Sequence, residues 1–354
     1  MRVGLDPLQE QIAQALRQAL ARAAGDPWPA LVELDVLGFG VPAALGGLNL
    51  GQRAAVLAAE ELGRALATGQ ALDAMLAADA LSAAGPSDRL EAVAGGRVRC
   101  AVAGLAERLP GAGPAELTPA AAGWSLAGRG LVAVLPHEAD VLLLAAAGRV
   151  FLVPADRPGW SSRPLDTAIP RGLHALSLTG MRLAAGDELP VRLDELTARG
   201  RLRQAALLLG VATAAHEAAV GHAHRRRQFG QRLLDFQAIG MRLAALAGRL
   251  AALRLLVQRA AWLADTDAVG QLRGAAAECL AMAAELALDA TRDGIQVHGA
   301  AGTAHASPAQ RTYRVALVEA VRWSRPAALW REAGAARLAA LARPAAPALA
   351  GSAS

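Results

Sequence analysis

Long runs of helical periodicity in the second half of the chain constrain its fold more than any other feature. "RLRQAALLLGVATAAHEAAVGHAHRR", "DFQAIGMRLAALAGRLAALRLLVQRAAWLAD" and "AVGQLRGAAAECLAMAAELALDATRDGIQVHG" repeat apolar residues at three- and four-residue steps between about Leu193 and Leu341. Helices of that length bury their apolar stripes against one another, so three or four of them imply a bundle. Composition agrees: 54% of the 354 residues are hydrophobic but only 3% aromatic, a core of Ala, Leu and Val that favours closely packed helices over a β-sandwich.

The first half divides in two. From Leu5 to about Gly96 the spacing is again helical, as in "LQEQIAQALRQAL" and "RAAVLAAEELGRAL", with an ordered glycine- and proline-bearing loop, "GFGVPAALGGLNLG", between them. From Val98 to Asp187 short apolar or alternating runs, "WSLAGRGLVAVL", "DVLLLAAAG", "RVFLVPAD" and "GLHALSLTG", are separated by Gly, Pro and Asp, which reads as a small β domain. The expected fold is therefore mostly α: an N-terminal helical domain (1–97), a middle β domain (98–188), a C-terminal four-helix bundle (189–342) and a flexible tail (343–354).

Several function classes are disfavoured. The charge excess, 36 basic minus 31 acidic groups, or +5, is carried wholly by arginine spread along the helices rather than by a basic stripe interleaved with aromatics, so no nucleic-acid partner is expected. The start of the chain lacks the regions of a signal peptide, and apolar runs break well short of a membrane span. Two cysteines, Cys100 and Cys279, offer neither a disulfide framework nor a metal motif, which suits a cytoplasmic setting. His216, His222 and His224 share one helix, the last two pointing apart with no carboxylate to complete a set, so no metal is expected. Glu60 and Glu61, beside Arg64, read as an exposed salt-bridging face.

One cluster resists a bland reading. "RRRQFGQRLLDFQAIG" places four arginines, three of them consecutive, a Phe-Gly pair and three glutamines at a helix end. Arginines alone would suit the helix dipole there; the aromatic and amide context asks for more. Together with "LGFGVPAALGGLNLGQRAAVLAAEELGRAL" and "DGIQVHGAAG", and with the order of helices, β domain and bundle, this cluster resembles the signatures of the acyl-CoA dehydrogenase family. The resemblance implies FAD as cofactor, held between β domain and bundle with its ADP half crossing a dimer interface, and an acyl-CoA or acyl-carrier thioester as substrate. It also implies a dimer or tetramer. By position, Arg226 would pair with the pyrophosphate of a neighbouring subunit's FAD, with Gln228, Phe229 and Gln237 supporting it and Gln296 and Gly299 approaching the ADP portion.

The chain departs from that family where chemistry happens. A dehydrogenase of this kind needs a carboxylate to take the α-proton, and the family keeps it in one of two places. Here those places hold Trp323, followed by Ser324 and Arg325, and Gly200, before Arg201. Glu319 and Glu195 are displaced from them by four or five residues, about one helical turn. The flavin-facing loop of the family is replaced by "AVAGLAERLPGAG" and its Trp-Ile-Thr by Val132, Ala133 and Val134, while Ala300 replaces a glycine. The expectation is a non-catalytic subunit that lends FAD-binding residues to a catalytic paralogue. A homomeric enzyme using Glu319, Glu195 or water as base, and a helical scaffold that has lost FAD, are the alternatives.

Overall fold

The computed structural model describes residues 6–342 apart from 24, 107–108, 122, 170–171 and 267–268; the expected tail, 343–354, lies outside the described residues. Five helices come first: α1 (Pro7–Arg22), α2 (Trp28–Glu33), α3 (Gly51–Arg64), α4 (Ala71–Ser82) and α5 (Asp88–Ala94). Eight strands follow: β1 (Cys100–Ala103), β2 (Glu116–Ala120), β3 (Gly123–Val134), β4 (Val141–Ala146), β5 (Arg149–Pro154), β6 (Trp160–Pro164), β7 (Leu173–Ala184) and β8 (Glu188–Leu189). The remainder is α6 (Leu193–Arg225), a short hairpin of β9 (Arg227–Gln228) and β10 (Gln231–Arg232), then α7 (Gln237–Asp265), α8 (Val269–His298), α9 (Ala300–Thr303), α10 (Pro308–Glu319) and α11 (Pro326–Leu341).

Helix α1 begins at a reciprocal cap: Gln9 N–H donates to the Asp6 carboxylate at 2.9 Å and Asp6 N–H to the Gln9 amide oxygen at 3.1 Å. Helix α3 has no side-chain cap of its own. Its first N–H groups, those of Gln52 and Arg53, donate to Asp265 at the far end of α7, at 2.6 and 3.2 Å, so one helix end closes another. Where α3 crosses α6, Gly63 faces the carbonyl of Leu207 and Gly210 faces that of Glu60, each close enough that an added methyl would collide with backbone.

The strands form two four-stranded sheets, ordered β1-β4-β5-β8 and β2-β3-β7-β6, with β1 parallel to β4 and the other pairings antiparallel. Leu142, Leu144, Phe151 and Val153 point from the first sheet into a shared core with Leu126, Leu176 and Met181 of the second. Alternate residues of the first sheet, Leu143, Val150 and Leu152, turn to the helices. Burial on both faces explains why β4 reads as an unbroken apolar run.

The helical core is continuous. Residues of α1 to α5, the helix-facing side of β1, β4 and β5, and α6, α7, α8, α10 and α11 belong to one cluster. N-terminal helices and bundle are thus packed as a single unit, with the two-sheet layer attached along one side.

Candidate functional site

The end of α6 is built to project. Arg226 leaves the helix at φ −76° and ψ 129° while its N–H still donates to the His222 carbonyl at 2.9 Å, and Leu233 N–H closes the loop onto the Arg226 carbonyl at 2.9 Å. Between them β9 pairs with β10 across a turn whose two residues, Phe229 (φ 49°) and Gly230 (φ 82°), are both left-handed. Such a turn favours Asn-Gly; a phenylalanine there costs on the order of 1 kcal/mol. The ring recovers little from this chain, being 93% exposed, with the Phe236 ring edge-on at a centroid distance of 6.4 Å.

Charge at this tip is unbalanced. Arg225, Arg226 and Arg227 are exposed, and no carboxylate among the described residues forms an ion pair with them. Their neighbour Arg232 is engaged by Asp235 at 2.8 Å. Gln228 is exposed with its amide donating to the Arg227 carbonyl at 3.0 Å, and Gln237 is exposed at the start of α7. Gln296 is exposed in the last turn of α8, and Gly299 follows at φ 62° and ψ −142°, a conformation open to glycine alone, with free space where a Cβ would be. The His222 and His298 rings lie 4.3 Å apart, joining the ends of α6 and α8 above a small core of Ala219, Ala223, Leu243 and Val297. Arg226, Gln228, Phe229, Gln237, Gln296 and Gly299 therefore all lie at one end of the bundle. The exposed guanidiniums, an aromatic ring and an open glycine fit the phosphates and base of a nucleotide.

A second centre gathers the departures noted in the sequence. Val102, Leu105 and Ala106 after β1, Val132 and Ala133 on β3, Leu173 on β7, Asp73 on α4 and Arg322 and Trp323 after α10 surround a cavity of about 20 Å³. That is room for about one water, against the ~300 Å³ or more of a cofactor pocket. Trp323 is buried and its indole lies directly against Gly200, where an added methyl would collide with the ring. The two positions at which a carboxylate was sought are therefore in contact, one a glycine and the other the indole over it. Arg322 donates to Asp73 at 2.6 Å, and Asp73 also accepts the Val102 N–H at 3.1 Å. Burial pushes the Asp73 carboxyl above its ordinary range, opposed by Arg322 and that N–H. An isoalloxazine ring does not fit among these residues.

Both displaced glutamates are engaged by other side chains. Glu319 is buried; Gln204 donates to its carboxylate at 2.8 Å and to its carbonyl at 2.9 Å, and Arg322 lies 3.8 Å away. Glu195 accepts from Arg199 at 2.7 Å, one turn along α6. The exposed face expected for Glu60 and Glu61 is corrected: both are buried, Glu60 held by Arg254 at 2.5 Å and Glu61 by Arg17 at 2.6 Å. The i,i+3 pair with Arg64 that the spacing suggested is present, Arg64 lying 3.8 Å from Glu61, but the closer partners come from α1 and α7, and only long-range packing reveals them. The His222 to His298 contact was likewise missed, because it joins residues 76 positions apart (298 minus 222). Among the described residues no group of three His, Cys, Asp or Glu could hold a metal, and no helix is long and apolar enough to cross a membrane.

Comparison with known proteins agrees along the chain. The family model "Acyl-CoA dehydrogenase, N-terminal domain" matches residues 6–91, and "Acyl-CoA dehydrogenase, C-terminal domain" matches residues 192–322. The chain is 35% identical to the probable acyl-CoA dehydrogenase YngJ of Bacillus subtilis over 161 residues, an alignment spanning 43% of this chain and 42% of YngJ. It superimposes on a chain of the ChsE4-ChsE5 complex from Mycobacterium tuberculosis with a TM-score of 0.85 at 24% identity, over 98% of this chain and 100% of the other. It matches a chain of the Tcur3481-Tcur3483 steroid ACAD with a TM-score of 0.85 at 25% identity, over 95% and 99%.

Proposed function

Because the chain belongs to the acyl-CoA dehydrogenase family, we propose that it is the non-catalytic subunit of a heteromeric acyl-CoA dehydrogenase, supplying nucleotide-binding residues to FAD seated in a catalytic partner. The family is one of FAD-dependent oxidoreductases, in which bound FAD accepts the hydride removed from the acyl β-carbon. In this reading residues 1–97, 98–188 and 189–342 correspond to the family's N-terminal helical, middle β and C-terminal bundle units.

The observation that carries the reading is the contrast between two places in one fold. The phosphate-facing end of the bundle keeps three unpaired arginines in the open, while the seat of the ring is reduced to about 20 Å³ by Trp323 and the Arg322–Asp73 pair. Arg226 would hold the pyrophosphate with its planar fork, Gln228 and Gln237 would hydrogen-bond beside it, Phe229 would lie against the base, and Gln296 and Gly299 would close from α8. ChsE4-ChsE5 is described as a complex of two differently named chains, and this chain covers 100% of the matched one; that supports a two-gene assembly. The substrate is an acyl thioester, on CoA or a carrier protein, bound in the partner's cleft. A homomeric enzyme is disfavoured by the engagement of Glu319 with Gln204 and of Glu195 with Arg199. Buried thiols with depressed reactivity suit a reducing, cytoplasmic setting: burial pushes Cys279 up to about 12 and Cys100 up as well.

The test is co-expression with a catalytic acyl-CoA dehydrogenase paralogue. The lone chain is expected to purify without stoichiometric flavin and the pair as a yellow, active complex. Arg226→Ala in that complex is expected to weaken FAD retention ~10- to 100-fold, the loss of one charge-assisted contact of roughly 1.5 to 3 kcal/mol. Unchanged flavin retention would favour a scaffold, and a yellow, active oligomer of this chain alone would refute the proposal. Assaying the complex with short, long and steroid acyl-CoA thioesters then sorts the substrate.

A further inference from the structure

At the root of the arginine tip, two imidazoles meet from different helices. His222 on α6 and His298 on α8 have ring centroids 4.3 Å apart and planes 31° apart, and both are half-buried. The His298 Nδ1 lies 2.7 Å from the Gly294 carbonyl, an acceptor only, so that nitrogen carries a proton and Nε2 is left for another partner. The backbone carbonyl of His222 is the one that receives the Arg226 N–H. Its imidazole thus hangs from the same turn that sets the direction of Arg226.

The charges around this pair share one sign. His298 faces His222 from α8, and Arg225 and Arg226 act on it from its own helix. The carboxylates at this end are engaged elsewhere, Asp235 by Arg232 at 2.8 Å and Asp293 by Arg242 at 3.5 Å. From α7 and the segment before it Leu233, Leu234, Ile239 and Leu243 pack into the apolar cluster beneath, and Arg242 adds a further positive charge on Asp293. A positive charge on His222, against the His298 ring and beside two guanidiniums, needs an anion to balance it.

Resting on the reading of Arg226 as a phosphate holder, we infer that His222 and His298 floor the same nucleotide-phosphate site, and that docking of a pyrophosphate there is coupled to uptake of a proton by His222. Burial first, then His298, Arg226 and Arg225, hold the His222 imidazole below its ordinary value of 6.5 in the free chain. A pyrophosphate raises it by supplying the missing negative charge. The sign follows from linkage: affinity rises as pH falls through the raised bound-state value, and levels off below the lowered free-state value. One proton changes affinity by at most about tenfold per pH unit.

The test uses the full-length chain and ADP-ribose, whose pyrophosphate stays fully ionised across the range. Calorimetry in buffers of different ionisation enthalpy counts the protons taken up on binding. Near neutral pH uptake of about half to one proton is expected, with binding several-fold tighter at about pH 6 than at about pH 8. His222→Asn is expected to abolish uptake and flatten the pH profile, and His298→Asn, which removes the ring that faces His222, to reduce both. His298→Asn keeps an N–H for the Gly294 carbonyl, and His222→Gln serves if the shorter amide disturbs folding. Binding that depends on Arg226 but takes up no proton, or uptake that survives both substitutions, overturns the inference and leaves the Arg226 reading standing. No binding of ADP-ribose, or binding indifferent to Arg226→Ala, also overturns the inference, whereas the Arg226 reading itself falls only if Arg226→Ala leaves flavin retention in the heteromeric complex unchanged.

Discussion

Phe229 is the residue whose backbone and side chain disagree most. It occupies a left-handed turn position that asparagine fills more easily, and its ring is almost wholly in solvent. Phe229→Asn is expected to stabilise the isolated chain by about 1 kcal/mol in urea unfolding, yet to weaken flavin retention in the heteromeric complex. A residue kept for local stability would show the opposite pattern. Residue identity at this tip was readable in advance because the motif is local: three arginines, Phe-Gly and Phe-Gln sit within sixteen positions. The ion pairs of Glu60 and Glu61 were not, since their partners lie 194 and 44 positions away.

Among elements, α6 bears both centres of interest. Its first half packs Gly200 under the indole of Trp323, and its last turn sends out Arg226. Gly200→Ala is expected to cost about 1 to 3 kcal/mol, since the new methyl has no space against a fully packed ring. Gly200→Ala combined with Trp323→Phe is expected to recover part of that loss, and a thermal melt of the four variants measures the coupling. Helical period and length made α6, α7 and α8 legible as a bundle, and alternation with Gly and Pro breaks did the same for the strands. What periodicity does not carry is which end of one helix closes another. Asp265 caps α3 from 213 positions away, a relation visible only after the chain has folded.

At the scale of the whole molecule the arrangement is one helical core with a two-sheet layer beside it, and the two places of interest on it differ in kind. One is open and cationic; the other is filled. The filled place was legible only as a list of missing residues, Trp323, Gly200, Val132 and Ala133 among them. That they meet around one small void required the fold. Added FAD is expected to raise the melting temperature of the lone chain no more than ADP-ribose does, because a ligand stabilises only through the part that binds and the ring finds no room among the residues around Trp323. Melting the heteromeric complex with and without FAD provides the contrast, with a rise expected there.

The indole of Trp323 has one more consequence. In an enzyme that wraps its own prosthetic group, the apo form carries a hole lined with surfaces waiting to be covered, and its lifetime depends on the supply of that group. Here the hole is stopped by a side chain the ribosome installs. Under the proposed subunit role, the polypeptide would mature and persist during flavin scarcity, leaving the catalytic partner to answer to cofactor supply.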